Sequence, residues 1–134
     1  MGTILVAYDG SDSAKRALEE AAKLSNGNRV TVVSVAEELP QFGRAAAMLV
    51  PEEHEERLRQ LSEAVAALQQ KGVTLHAVER KGDPAKLIVD EAKAERAELI
   101  VIGTRGLSPA KRLLLGSVST KVLQHAPCNV LVVR

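Results

Sequence analysis

The chain has 134 residues, of which 18 are Lys or Arg and 17 are Asp or Glu, a formal charge of +1. That is the length of one compact domain, spanning 1–134, and a near-neutral chain without a Lys/Arg run excludes a protein that coats duplex nucleic acid. With one Tyr, one Phe and no Trp it lacks the aromatic faces of a base-stacking platform, and its one cysteine, Cys128, can neither close an intramolecular disulfide nor build a thiolate metal site.

Residues 4–8, Ile-Leu-Val-Ala-Tyr, are an apolar run too short for a helix, followed at once by the turn-and-cap cluster Asp9-Gly10-Ser11-Asp12. This predicts a strand buried on both faces. From Asp12 the spacing changes: Ala14, Ala17, Leu18, Ala21 and Leu24 recur every three or four residues, and Lys15, Arg16, Glu19, Glu20 and Lys23 take the opposite side. An amphipathic helix closing near Asn26-Gly27 follows. Residues 30–35 read as a second strand, and Leu58, Leu61, Val65 and Leu68 as the core stripe of a long helix stopped at Gly72. Val73, Leu75 and Ala77 alternate with Thr74 and His76, which predicts a strand with one wetter face at a sheet edge. Asp83-Pro84 supplies an N-cap and a first-turn proline for a helix carrying Leu87, Ile88 and Ala92. Residues 98–102 form a fourth strand, 118–125 a helix, and 129–133 a fifth strand.

Strands alternating with helices predict an α/β fold, a doubly wound parallel sheet with helices on both faces, because parallel neighbours need helical crossovers. The irregular piece is 37–51, whose apolar Ala45-Ala46-Ala47-Met48-Leu49-Val50 reads either as the first turns of the next helix or as a flap over a ligand. The last strand, Asn129–Val133, raises a separate question. An apolar edge left bare there would invite pairing, which predicts a homodimer through this strand; a mid-sheet position, or blunting by Arg134, is the alternative. No apolar stretch approaches the roughly 18 residues of a membrane span, and Met1-Gly2-Thr3 runs into a strand without a signal-peptide layout. Together with the single cysteine, this leads us to expect a cytoplasmic protein with no membrane partner and no nucleic-acid partner.

Open α/β sheets bind ligands beyond the carboxyl ends of their strands, where strand order reverses. One such junction is glycine-rich: Gly103-Thr104-Arg105-Gly106, then nine residues, then Gly116-Ser117-Val118-Ser119 at the entry to a helix. Glycines let the main chain approach an anion, and a helix N-terminus offers free N–H donors and the positive end of the dipole. Thr104, Ser117 and Ser119 add hydroxyls, and Arg105 and Lys111 add cations that suit phosphate. The same spacing has a second account that requires no ligand. Ser108-Pro109 would cap a short helix through Leu115, Gly116 would end it, and Ser117 would be the N-cap of the next helix. Neither G-x-x-x-x-G-K-[ST] nor G-x-G-x-x-G occurs, so a P-loop NTPase or dinucleotide fold is disfavoured.

The stretch from Leu99 through Gly103, Gly106, Gly116, Ser117 and Ser119 to the final Val130-Leu131-Val132-Val133 resembles the nucleotide-binding signature of the universal stress protein family. Residues 4–11 with Ala17-Leu18, and Gly82-Asp83-Pro84 with Ile88 and Ala92, resemble its first and third crossovers. The resemblance covers essentially the whole chain and implies a five-stranded sheet of order 3-2-1-4-5, with Asp9 facing the Gly103 loop. It implies ATP as ligand: Ala7 and Asp9 at the adenosine end, Asp9 near ribose or Mg2+, and Val35 on adenine. Ile102, Gly103, Thr104, Arg105 and Gly106 would follow ribose and phosphate, and Gly116, Ser117, Val118 and Ser119 would hold the phosphates. Read from its own neighbourhood, Asp9 is equally a turn residue, and an anion beside a polyphosphate makes sense with a hard cation between them. Thr104 and Glu98 depart from the common Ser and Asp of the family without altering the glycine spacing. Members lacking the motif do not bind ATP, so its presence implies the binding branch.

Three functions compete. The first is a small ATP-binding, stress-response regulatory module whose conformation is biased by nucleotide. The alternative is a slow Mg-dependent ATP hydrolase or phosphotransferase, against which stands the lack of an evident base: His54, His76 and His125 fall in a polar helix, an edge strand and a late helical turn. A flavodoxin-like electron carrier shares the expected sheet but would want aromatics to sandwich its flavin. Cys128, just before an apolar strand, reads as a small buried hydrophobe, and the charge-dense 52–59 as a solvated helix face.

Overall fold

The computed structural model describes residues 2–36, 51–104 and 116–134. Within them the chain runs β1 (Thr3–Tyr8), α1 (Asp12–Ser25), β2 (Arg29–Ala36), α2 (Pro51–Gln70), β3 (Leu75–Lys81), α3 (Pro84–Ala94), β4 (Ala97–Gly103), α4 (Ser117–His125) and β5 (Asn129–Val133). All strand pairs are parallel and the sheet order is β3-β2-β1-β4-β5. The expected α/β class and strand order are both present. The expected flap or helix extension within 37–50, and Arg105, Gly106, Ser108, Pro109, Lys111 and Leu115, lie outside the described residues.

Local chemistry accounts for the helix boundaries. Ser11 caps α1 by accepting a hydrogen bond from the Ala14 N–H at 3.2 Å, and Asn26 ends the helix in the left-handed conformation that Asn tolerates. Asp83 does the same for α3, accepting from Lys86 N–H at 3.0 Å with Pro84 behind it, where proline loses no helical bond.

The core has two layers because successive side chains of a strand point to opposite faces. Ile4, Val6, Tyr8, Val30, Val32 and Val101 pack against α1 (Ala14, Ala17, Leu18, Ala21) and α2 (Leu61, Val65). On the other face Leu5, Ala7, Val33, Ile100 and Ile102 pack against α3 (Ala85, Ile88, Ala92) and α4 (Val122). At the centre Val6 stands in register between Val32 and Val101. Fully buried side chains such as Leu5, Val6 and Ile100 each contribute about 1.5 to 3 kcal/mol.

One expectation needs correction. The third strand begins at Leu75 rather than Val73, and Ala77 is exposed while Val78 is buried, so no strict alternation exists there. β3 is nevertheless an edge strand, and at an edge only part of each face is covered. In α3 the buried stripe is Ala85, Ile88, Val89 and Ala92; Leu87 sits half-buried over Gly82. β5 is the other edge of the sheet, which removes the mid-sheet alternative. No helix among the described residues is long and apolar enough to cross a membrane.

Candidate functional site

β1 and β4 are adjacent, and the crossover direction reverses between them: β2 and β3 lie to one side and β5 to the other. The crevice beyond their carboxyl ends is where ligands bind in folds of this kind. Asp9 leaves β1 into that crevice. It is exposed, and its Oδ1 accepts the Ser11 N–H at 2.9 Å, closing a turn that Gly10 completes with a φ of 85°. The turn reading of Asp9 therefore holds for one carboxylate oxygen, and the other belongs to an exposed side chain.

Opposite Asp9, β4 ends at Gly103. A β-carbon there would lie 2.9 Å from both the carbonyl carbon and the β-carbon of Ser13, closer than real contacts of that kind. Glycine at 103 is thus required by the first turn of α1, whatever the crevice holds. Ser13 is itself buried and was not singled out by pattern reading, because nothing local marks a contact between residues 13 and 103.

Thr104 and the entry to α4 form a main-chain clasp. The Thr104 N–H donates to the Val133 carbonyl at 2.8 Å, and the Gly116 N–H donates to the Thr104 carbonyl at 2.7 Å. The Ser119 hydroxyl donates to the same Thr104 carbonyl at 3.0 Å and lies 3.4 Å from the Gly116 carbonyl. These bonds hold the start of α4 at the end of β4. The expected N-cap, Ser117, is instead the first residue of the helix and is exposed; Gly116 occupies the cap, and no side chain caps α4. The reason is the clasp, which fixes Gly116 in extended geometry (φ −66°, ψ 164°) one residue earlier. The first amides of α4, at Ser117, Val118 and Ser119, have no intrahelical acceptor, and among the described residues no side chain caps the positive end of the helix dipole.

The remaining candidates assemble on one face. Ala7 and Ile102 are buried members of the α3/α4-side core, and Val35 and Val118 are half-buried against it. The ends of β1, β2 and β4 and the start of α4 thereby share an apolar floor, beside which uncapped amides and an exposed carboxylate stand. This arrangement suits an amphiphilic ligand with a flat apolar part and an anionic part. Among the described residues no group of three or more His, Cys, Asp or Glu could hold a metal ion. A cation here would need ligand oxygens to complete its shell.

Two of the histidines and the cysteine stand elsewhere, and the side chain of His54 lies outside the described residues. His76 lies exposed on edge strand β3 and His125 exposed at the last turn of α4. Cys128 is half-buried against the α3/α4-side core, and burial pushes its thiol up, only partly offset by a backbone hydrogen bond at Ile100. It packs as the small hydrophobe expected.

Comparison with known proteins bears on the family and the fold. The sequence profile of the Universal stress protein family matches residues 1–134. A universal stress protein encoded in the 3' region of a QAH/OAS sulfhydrylase of Thermus aquaticus is 41% identical over 140 residues, covering 98% of each chain. Among solved structures, the universal stress protein UspA from Lactobacillus plantarum superposes with a TM-score of 0.86 at 28% identity, over 99% of this chain and 97% of that one. A universal stress protein solved in complex with cAMP superposes with a TM-score of 0.73 at 28% identity, over 99% of this chain and 97% of that one.

Proposed function

Because the chain belongs to the universal stress protein family, we propose that it binds ATP with Mg2+ between the ends of β1 and β4 and acts as a nucleotide-dependent regulatory module in the response to stress. The observation that carries the reading is the N-terminus of α4, without a side-chain cap among the described residues and held by its own main chain at the end of β4 beside the apolar floor of Ala7, Val35, Ile102 and Val118. Free amides and a helix dipole favour phosphate, and the floor favours a purine. The relative solved with cAMP supports the adenine part.

In this reading Val35 and Ala7 contact the base and Asp9 faces the ribose. Gly103, Thr104, Arg105 and Gly106 follow the ribose and first phosphate, and Gly116 with the amides of Ser117, Val118 and Ser119 takes the remaining phosphates. The second carboxylate oxygen of Asp9 is suited to Mg2+, which holds to one or two carboxylates plus phosphate oxygens and water and neutralises the charge that Asp9 and the polyphosphate would otherwise set against each other. Ligand control then requires that ATP prefer one conformation of the protein over another.

The test is to precipitate the purified protein with acid, identify any released nucleotide by chromatography, and repeat with Gly116→Val. Gly116 has a backbone conformation open to other residues, so the branched side chain blocks the mouth of the crevice without strain. ATP released from the parent and absent from the variant supports the assignment. ATP retained by the variant would move the site elsewhere.

A further inference from the structure

We propose that Ser119 is a positioning residue of this site, the latch that aims the first turn of α4, and that its side chain is not a phosphate ligand. The inference rests on the nucleotide reading above and refines it. Ser119 is 2% exposed, and its hydroxyl stands between the carbonyls of Thr104 and Gly116 at 3.0 and 3.4 Å. A hydroxyl has one proton to give. The Gly116 carbonyl already accepts from both the N–H and the hydroxyl of Thr120, each at 3.0 Å, so the Ser119 proton belongs to Thr104. Phosphate oxygens are acceptors and need that proton too. A side chain that spends it inside the protein has none to offer a ligand.

Its effect on the site runs through the main chain. The Thr104 carbonyl accepts the Gly116 N–H as well, and the Thr104 N–H is tied to Val133 at the end of β5. Among the described residues, Ser119 thus adds a second hydrogen bond between the start of α4 and the Thr104 carbonyl at the end of β4. Residue 116 is the helix cap, so its orientation sets the direction of the free amides behind it. Ser117, by contrast, is exposed at the first helical position, where a hydroxyl can meet the ligand.

The two roles separate by experiment. In the ligand-free protein Ser119→Ala should speed hydrogen exchange of the Gly116 amide by about fivefold, the loss of one modest hydrogen bond, with the Val6 and Val32 amides unchanged. Affinities for AMP and for ATP should fall by a similar factor, since the whole cradle is misaimed. Ser119→Cys, which refills the space with a weak donor, should fall between parent and Ser119→Ala and keeps the test open if the alanine variant packs poorly. Ser117→Ala should leave Gly116 exchange at the parent value. An unchanged Gly116 amide in Ser119→Ala, whether nucleotide affinity holds or drops, overturns the positioning role. Failure of the parent protein to bind AMP or ATP overturns the nucleotide reading instead, even where the exchange result is as expected.

Discussion

Gly103, at the end of β4, lies against Ser13 in the first turn of α1 so closely that a β-carbon would sit 2.9 Å from the Ser13 carbonyl carbon. The contact joins two elements far apart in sequence at the point where the crevice opens. Because a main-chain atom is among the obstacles, side-chain trimming relieves it only in part. Gly103→Ala should therefore lower stability by about 1 to 3 kcal/mol in urea unfolding, and Ser13→Gly in the same chain should recover only part of that. A Gly103→Ala variant as stable as the parent would show that the approach is looser than described.

Much of the fold was legible because its signals are local. The run Ile4 to Tyr8 has the composition of a strand buried on both faces, and burial in β1 confirms it. Asp83-Pro84 carries its own capping chemistry, and α3 starts there. What escaped pattern reading is what depends on distant partners. Ser117 has the residue type of an N-cap, yet Gly116 takes the position because Thr104 holds it. Ser119 has the residue type of a phosphate donor, yet its hydroxyl turns toward Thr104. Ser13 matters through Gly103, and no spacing rule links them. Ala77 was placed on a buried face by alternation alone, but at an edge strand there is too little cover to bury it.

A second polar cluster holds one titrating group, Glu91. Thr31, fully buried in β2, donates to Glu95 Oε1 at 2.7 Å, and the other oxygen of that carboxylate is buried with no hydrogen-bond partner. One helical turn earlier, Glu91 has its carboxyl raised above the ordinary value, first by burial and then by hydrogen bonding to Glu95, while Arg80, 3.5 Å away, and His76 pull it down. A raised folded-state pKa makes a contribution that is full below the unfolded value and is lost as pH rises through the folded one. The parent should lose the stability contributed by Glu91 as pH climbs from about 4 toward neutral. Glu95→Gln keeps an oxygen for Thr31 and places an N–H donor beside Glu91. The variant should gain on the parent across that pH interval in thermal unfolding, and parallel curves at every pH would contradict the account.

Cys128 offers a simpler check. Burial raises its thiol, which lowers the thiolate fraction at neutral pH, and the thiolate is the nucleophile. Iodoacetamide at pH 7.5 should modify the folded protein at least tenfold more slowly, by order of magnitude, than the same chain in guanidinium. Equal rates would mean that the packing around the thiol opens readily.

The last prediction concerns the two edges of the sheet, which differ in how they are protected. β3 carries His76, Glu79, Arg80 and Lys81 at exposed positions, and charged side chains discourage strand pairing. β5 has no such guard along Val130, Leu131, Val132 and Val133, which remain half-buried in the single chain although they pack against the two core layers. Arg16 holds the far end of the strand by donating its Nε–H to the Arg134 carbonyl, so the edge of β5 is tethered there. A second copy related by a two-fold axis is the partner that satisfies such an edge with the same surface on both sides. We propose that β5 pairs in this way. Light scattering at micromolar concentration should give about twice the 14.3 kDa of the chain. A mass of one chain at that concentration would leave β5 unpaired and refute the proposal.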